Sequence, residues 1–141
     1  MIPRGSRALG DLAMKLAMSI APETSSTYAA ANTMLVSSLM QCLALDYDRA
    51  AEVRMQDIGE LREIFGDAVL HAPADVARRI RSFLSAEPKS LRISDIDALH
   101  AQGLEILIDL HAHAEDAGDT ALDRRIWEFL ERHADRHAFA G

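Results

Sequence analysis

The sequence predicts an all-α fold: an antiparallel bundle of four main helices plus one or two short helices, in a single domain over residues 1–141. Aromatic residues make up only 5% of the chain, whereas strong helix formers such as alanine and leucine are plentiful. No stretch of useful length alternates apolar and polar residues as a strand would. The 49% of apolar and 26% of charged residues are typical of a globular protein.

In the first half of the chain, apolar periodicity predicts a helix over residues 6–20, which a proline follows closely. A second helix begins near Thr24. Asp57 and Glu60 have the spacing of a capping box, so we expect a break or kink there and a new helix from Asp57 to about Leu70.

In the second half, Pro73 opens a shorter helix that ends near residue 86, and a loop follows it. A long helix is predicted from Ser94, with Asp97 three residues on, to the residue before Gly118. Asp119 or the threonine after it is expected to cap the last helix.

Bulk composition excludes several classes of protein. A net charge of −7 argues against a nucleic acid as the main partner. Cys42 is the only cysteine, so no intrachain disulfide can form and an oxidising compartment is not indicated. The uncharged stretch over residues 24–45 is long enough to span a bilayer, but it carries polar residues that favour a buried helix of a soluble protein, among them Asn32, Thr33, Ser37, Ser38 and Gln41. We expect a cytoplasmic protein, and the preference for Arg over Lys suggests a bacterial genome.

The helix over residues 28–45 is predicted to be apolar around most of its circumference. Met34 and Met40 lie away from the stripe formed by Leu35, Leu39 and Cys42. A helix that is apolar all round must be buried all round. Either this helix is central to the bundle, or its outer face meets another chain, and we predict the latter, most simply a homodimer.

Asp46 is the first candidate site residue, because it continues the apolar line of Leu35, Leu39 and Cys42. A carboxylate on a core stripe is costly unless it is paired or bound to a metal. An ion pair with Arg49 is the structural interpretation, and a ligand or metal site is the functional one.

His133 and His137 are the second candidates, since side chains four residues apart on a helix project side by side and can chelate one metal ion. A tight turn at Gly118 makes the last two helices antiparallel and places His100 opposite His137. Three protein ligands with an open position, and Asp46 as a possible fourth group, would suit a catalytic metal. The alternative is that the histidines simply interact with the dipole at a fraying helix end.

This arrangement resembles that of DinB-like bundles, in which one helix supplies a histidine and another supplies a histidine pair. The resemblance covers these three residues, by their number and order.

A third group, His111, His113 and Glu115, is predicted to be a solvated helix end, because His113 points away from the other two. The chain has no glycine-rich phosphate loop and no nucleophile elbow. We therefore predict a non-catalytic, oligomeric module without a cofactor, which binds a protein partner or a small apolar ligand. The alternative is a metal-binding four-helix bundle, with Zn as the example and hydrolysis as a reaction class.

Overall fold

A computed structural model describes residues 4–138 and confirms the all-α fold class, with no strand in that range. The described residues form five α-helices and two short helical segments. The α-helices are α1 (Gly5–Lys15), α2 (Thr27–Ala68), α3 (Ala74–Ser85), α4 (Ile93–Ala117) and α5 (Thr120–His137). A π-helical turn (Leu16–Ile20) and a 3₁₀ turn (Ala21–Glu23) follow α1. The described residues divide into two compact units, 4–50 and 51–138.

The prediction that a new helix begins at Asp57 is wrong, because α2 runs without interruption through that position. Asp57 and Glu60 do not cap a helix start. Both carboxylates instead form ion pairs with α5, and the Asp57 side chain is fully buried. The two residues with capping-box spacing therefore make tertiary contacts with α5 instead of capping a helix.

The predicted turn between the last two helices is confirmed. Gly118 ends α4 with a φ of 66°, in the left-handed region that favours glycine. Asp119 caps α5, since its Oδ1 accepts a hydrogen bond of 3.0 Å from the backbone N–H of Leu122. At the other end of α4, Ser94 is not a cap. That helix begins at Ile93, and Asp97 forms an ion pair with Arg54 of α2.

The second unit has a continuous apolar core to which the end of α2 and all of α3, α4 and α5 contribute. Two phenylalanines, Phe65 and Phe83, meet edge to face with ring centroids 5.4 Å apart. The fully buried core side chains are those of Ile58, Leu61, Phe65, Ile80, Phe83, Ile106, Leu110, Ile126 and Phe129. This core fixes the helices that carry the candidate site.

Gly103 in α4 allows a close approach of its neighbours, which gives a stability prediction. A Cβ at this position would lie 2.8 Å from Leu61 Cδ1 and 2.8 Å from Phe83 Cζ. We expect Gly103→Ala to lower the free energy of unfolding by about 1–3 kcal/mol, the usual cost of overpacking a core. Gly66→Ala is the matched control, because a Cβ there meets nothing within 4 Å in an exposed part of α2. The control should gain up to about 1 kcal/mol in urea denaturation, and equal stability of the two variants would contradict this packing.

In the first unit, large apolar side chains are exposed and small ones are buried. Among its described residues the buried hydrophobic side chains are all alanines: Ala13, Ala21, Ala44 and Ala50. Twelve large ones are exposed: Leu12, Met14, Met18, Ile20, Tyr28, Met34, Leu35, Val36, Leu39, Leu43, Leu45 and Tyr47.

The prediction that this helix has no side facing water is therefore wrong for a single chain. Met34 is 47% exposed, Met40 is half-buried, and only 11% of the most apolar window of α2 is buried. The central-helix interpretation is excluded for this part of α2. By length and composition alone, α2 would also be apolar enough to cross a membrane, with a mean hydropathy of 1.2 in that window.

Candidate metal centre

The buried carboxylate of Asp57 is the centre of a four-residue group in the second unit. Its Oδ2 atom lies 2.9 Å from Nε2 of His100, 2.7 Å from Nδ1 of His133 and 2.8 Å from Nε2 of His137. All four ligand atoms lie within 4.8 Å of one another. Three imidazole nitrogens therefore surround one carboxylate oxygen at nearly equal distances.

The other oxygen of the carboxylate, Oδ1, is held by Arg136. The guanidinium places Nε at 2.9 Å and Nη2 at 2.6 Å from Oδ1. Its Nη1 donates to Glu60 at 2.6 Å, and Glu60 also pairs with Arg132 at 3.0 Å. The two oxygens of Asp57 thus have different surroundings, one cationic and one made of imidazoles.

The fold brings the histidines together through helix periodicity and the turn at Gly118. His133 and His137 are one turn apart on α5, and their ring centroids are 4.3 Å apart. His100 on α4 lies 5.6 Å and 5.7 Å from those two rings. Phe129 stacks on His133 at 5.7 Å, so the core supports one face of that imidazole.

Two opposing effects act on the Asp57 carboxyl. Burial is the larger single effect and would raise the pKa, but hydrogen bonds from His100, His137, His133 and Arg136 together hold the pKa of Asp57 well below its ordinary value. The carboxylate is therefore ionised at neutral pH. Because the folded-state pKa is lowered, its contribution to stability is present above about pH 4 and is lost as the pH falls further.

The atoms around Oδ2 form a set that can hold a metal cation. Each of the three imidazole nitrogens near Oδ2 is a hydrogen-bond donor or a lone-pair donor according to the tautomer of its ring. A metal ion among the four atoms would instead receive a lone pair from each of them. Zinc takes imidazole nitrogen at about 2.0–2.1 Å and carboxylate oxygen at about 2.0–2.2 Å, so modest side-chain shifts would complete such a site.

The structure brings the three sequence-predicted histidines together, but not Asp46. Asp46 is half-buried in α2, about three turns before Asp57, and it is not a member of the four-residue group. Sequence reasoning thus missed Asp57, although a signal for it existed. Asp57 lies on the apolar stripe of Leu61, Ile64 and Phe65, at positions i, i+4, i+7 and i+8. Because Asp57 was interpreted as a helix cap, it was not predicted to be a buried site residue.

In the third candidate group, two residues share a face and the third lies apart, as their positions on the helix predict. His111 pairs with Asp123 of α5 at 2.9 Å and groups with the exposed Glu115, whereas His113 is not part of that group. The ring of Trp127 meets His111 edge to face at 5.6 Å. This half-exposed hydrogen bond links α4 to α5.

Comparison with known proteins gives no match: neither a family model, nor a curated protein, nor a solved structure is similar to the chain. The resemblance to DinB-like bundles stays limited to the three histidines. The function has to be argued from the site itself.

Proposed function

We propose that this protein is a metal-binding helical protein that holds one divalent transition metal ion, such as Zn²⁺, through His100, His133, His137 and Asp57. The observation that carries the proposal is the convergence of three imidazole nitrogens on one buried carboxylate oxygen. The Asp57 carboxylate is fully buried, and a metal ion bound beside it would receive a lone pair from the carboxylate and from each imidazole.

The donor set favours a borderline transition metal over Mg²⁺ or Ca²⁺. Imidazole suits Zn, Cu, Fe and Ni, whereas Mg²⁺ and Ca²⁺ take oxygen ligands. The side chains of His133 and His137 are 24% and 29% exposed, so the site is reachable from solvent on the α5 side. Four protein ligands fill the tetrahedral shell of Zn²⁺ and leave no position for a water molecule, which is typical of a structural rather than a hydrolytic metal site.

Metal content tests the proposal directly. Protein purified without an affinity tag should contain close to one equivalent of a transition metal, measured by inductively coupled plasma mass spectrometry. Adding Zn²⁺ to chelator-treated protein should raise the melting temperature, because a ligand at 100 times its Kd stabilises the folded state by about 2.7 kcal/mol. A protein with no metal and no Zn²⁺-dependent rise in melting temperature would refute the proposal.

A second candidate function, self-association through the first unit, is supported by its exposed apolar side chains. The sequence-based argument needed a helix with no face exposed to water, and the structure removes that premise. What supports the candidate now is that both α1 and the first part of α2 expose large apolar residues. An apolar surface shared by two helices and free of charge over residues 24–45 suits a second copy of the same surface.

Light scattering coupled to size-exclusion chromatography tests this candidate. We expect a dimer, and we expect the double variant Leu39→Glu, Leu43→Glu to be a folded monomer. Leu91→Glu is the control, because that leucine is 93% exposed in a loop of the second unit and should leave the dimer intact. A monomeric natural chain at high micromolar concentration, or its co-flotation with neutral lipid vesicles, would rule out the dimer as the cover of this surface.

A further inference from the structure

The site includes a second layer of charge that metal binding alone does not require. Arg136 contacts Asp57 through two nitrogens and Glu60 through a third, and its side chain is only 18% exposed. Arg136 precedes His137 directly on α5, and Glu60 follows Asp57 by one turn of α2. The same two helices therefore carry metal ligands and the ion pairs beside them.

A cation next to a metal site is electrostatically unfavourable unless a nearby anion offsets its charge. Arg136 and the metal ion would both be positive, separated only by the carboxylate of Asp57. Glu60 offsets the charge of Arg136 through a 2.6 Å contact, so the pair adds little net charge to the site. What the pair does add is a fixed orientation, because the planar guanidinium donates to Asp57 through Nε and to Glu60 through Nη1.

We propose that Arg136 is a positioning residue that makes Asp57 bind the metal through Oδ2 alone. Nε of Arg136 donates a hydrogen bond to Oδ1, and Nη2 lies 2.6 Å from the same oxygen, so the guanidinium opposes a turn of the carboxylate that would present both oxygens to the metal. The ion then has three imidazole nitrogens and one oxygen, which is the four-coordinate, tetrahedral arrangement that zinc favours. This inference rests on the proposed metal site and specifies its coordination.

Substitution of Co²⁺ for Zn²⁺ reports on this geometry, because tetrahedral Co²⁺ absorbs visible light much more strongly than five- or six-coordinate Co²⁺. The natural chain loaded with Co²⁺ should show strong visible bands. Arg136→Met should weaken those bands, as Asp57 binds through both oxygens, and should lower the Zn²⁺ affinity about 10–100-fold, the usual cost of losing a partner of a metal ligand.

Two further variants separate orientation from charge and from folding. Arg136→Lys keeps the positive charge but lacks the planar group that donates to Asp57 and Glu60 together, so its Co²⁺ spectrum should change in the same direction. If Arg136→Met does not fold, Arg136→Lys alone tests the positioning role. Arg132→Met is the matched control, because Arg132 contacts Glu60 on the same helix face of α5, and it should leave spectrum and affinity unchanged.

The outcomes distinguish this inference from the metal site itself. A natural chain that does not bind Co²⁺ or Zn²⁺ refutes the site, and the inference with it. A natural chain that binds Co²⁺ with the same spectrum and affinity as Arg136→Met, or as Arg136→Lys, leaves the site standing and refutes the positioning role.

Discussion

Replacing Asp57 with alanine is expected to abolish stoichiometric metal binding and to lower the free energy of unfolding of the metal-free protein by about 3–5 kcal/mol. The carboxylate is fully buried and is the common partner of three histidines and Arg136. Its removal takes an anionic partner from the partly buried guanidinium of Arg136. Urea denaturation and metal analysis of the same preparation measure both effects.

Asp46→Ala is the matched control for that experiment, because it removes an aspartate from the same helix outside the four-residue group. We expect its stability to stay within about 0.5 kcal/mol of the natural chain and its metal content to be unchanged. If Asp46→Ala lost the metal while Asp57→Ala kept it, the original sequence-based choice of aspartate would be correct and the site described here would be wrong.

His133→Ala and His137→Ala are each expected to lower the affinity for Zn²⁺ by more than about 100-fold, since losing a ligand must exceed the cost of losing a ligand's partner. Both side chains are partly exposed, so the metal-free variants should remain folded. Competition with a chromophoric chelator measures the affinity, and circular dichroism monitors the fold.

His111→Ala is the control for the histidine variants, because His111 pairs with Asp123 and lies outside the Asp57 group. Its Zn²⁺ affinity should equal that of the natural chain. Equal losses in all three histidine variants would show that Zn²⁺ binds histidines on the surface without selection, and would contradict a defined site.

Helix periodicity and turn chemistry were sufficient to predict the fold class and the register of the last two helices. Gly118 and Asp119 stop one helix and start the next, and that turn sets His100 opposite His137. These features are local in sequence, so short-range rules describe them well.

Features that depend on tertiary contacts were not predictable in the same way. Asp57 and Glu60 have the same spacing whether they cap a helix or pair with another helix, and only the packed α5 decides between the two. The exposure of Leu35 and Leu39 likewise could not be predicted from the sequence, because a helical wheel shows which side chains share a face but not what covers that face.

X-ray absorption spectroscopy at the zinc edge tests the central claim most directly. For Zn²⁺ bound to the untagged chain, we predict three imidazole nitrogens and one oxygen at about 2.0–2.2 Å, with no sulfur. The Asp57→Ala variant should fail to reproduce that spectrum. A first shell of oxygen atoms alone, or one with fewer than three imidazoles, would contradict a metal centre built from His100, His133, His137 and Asp57.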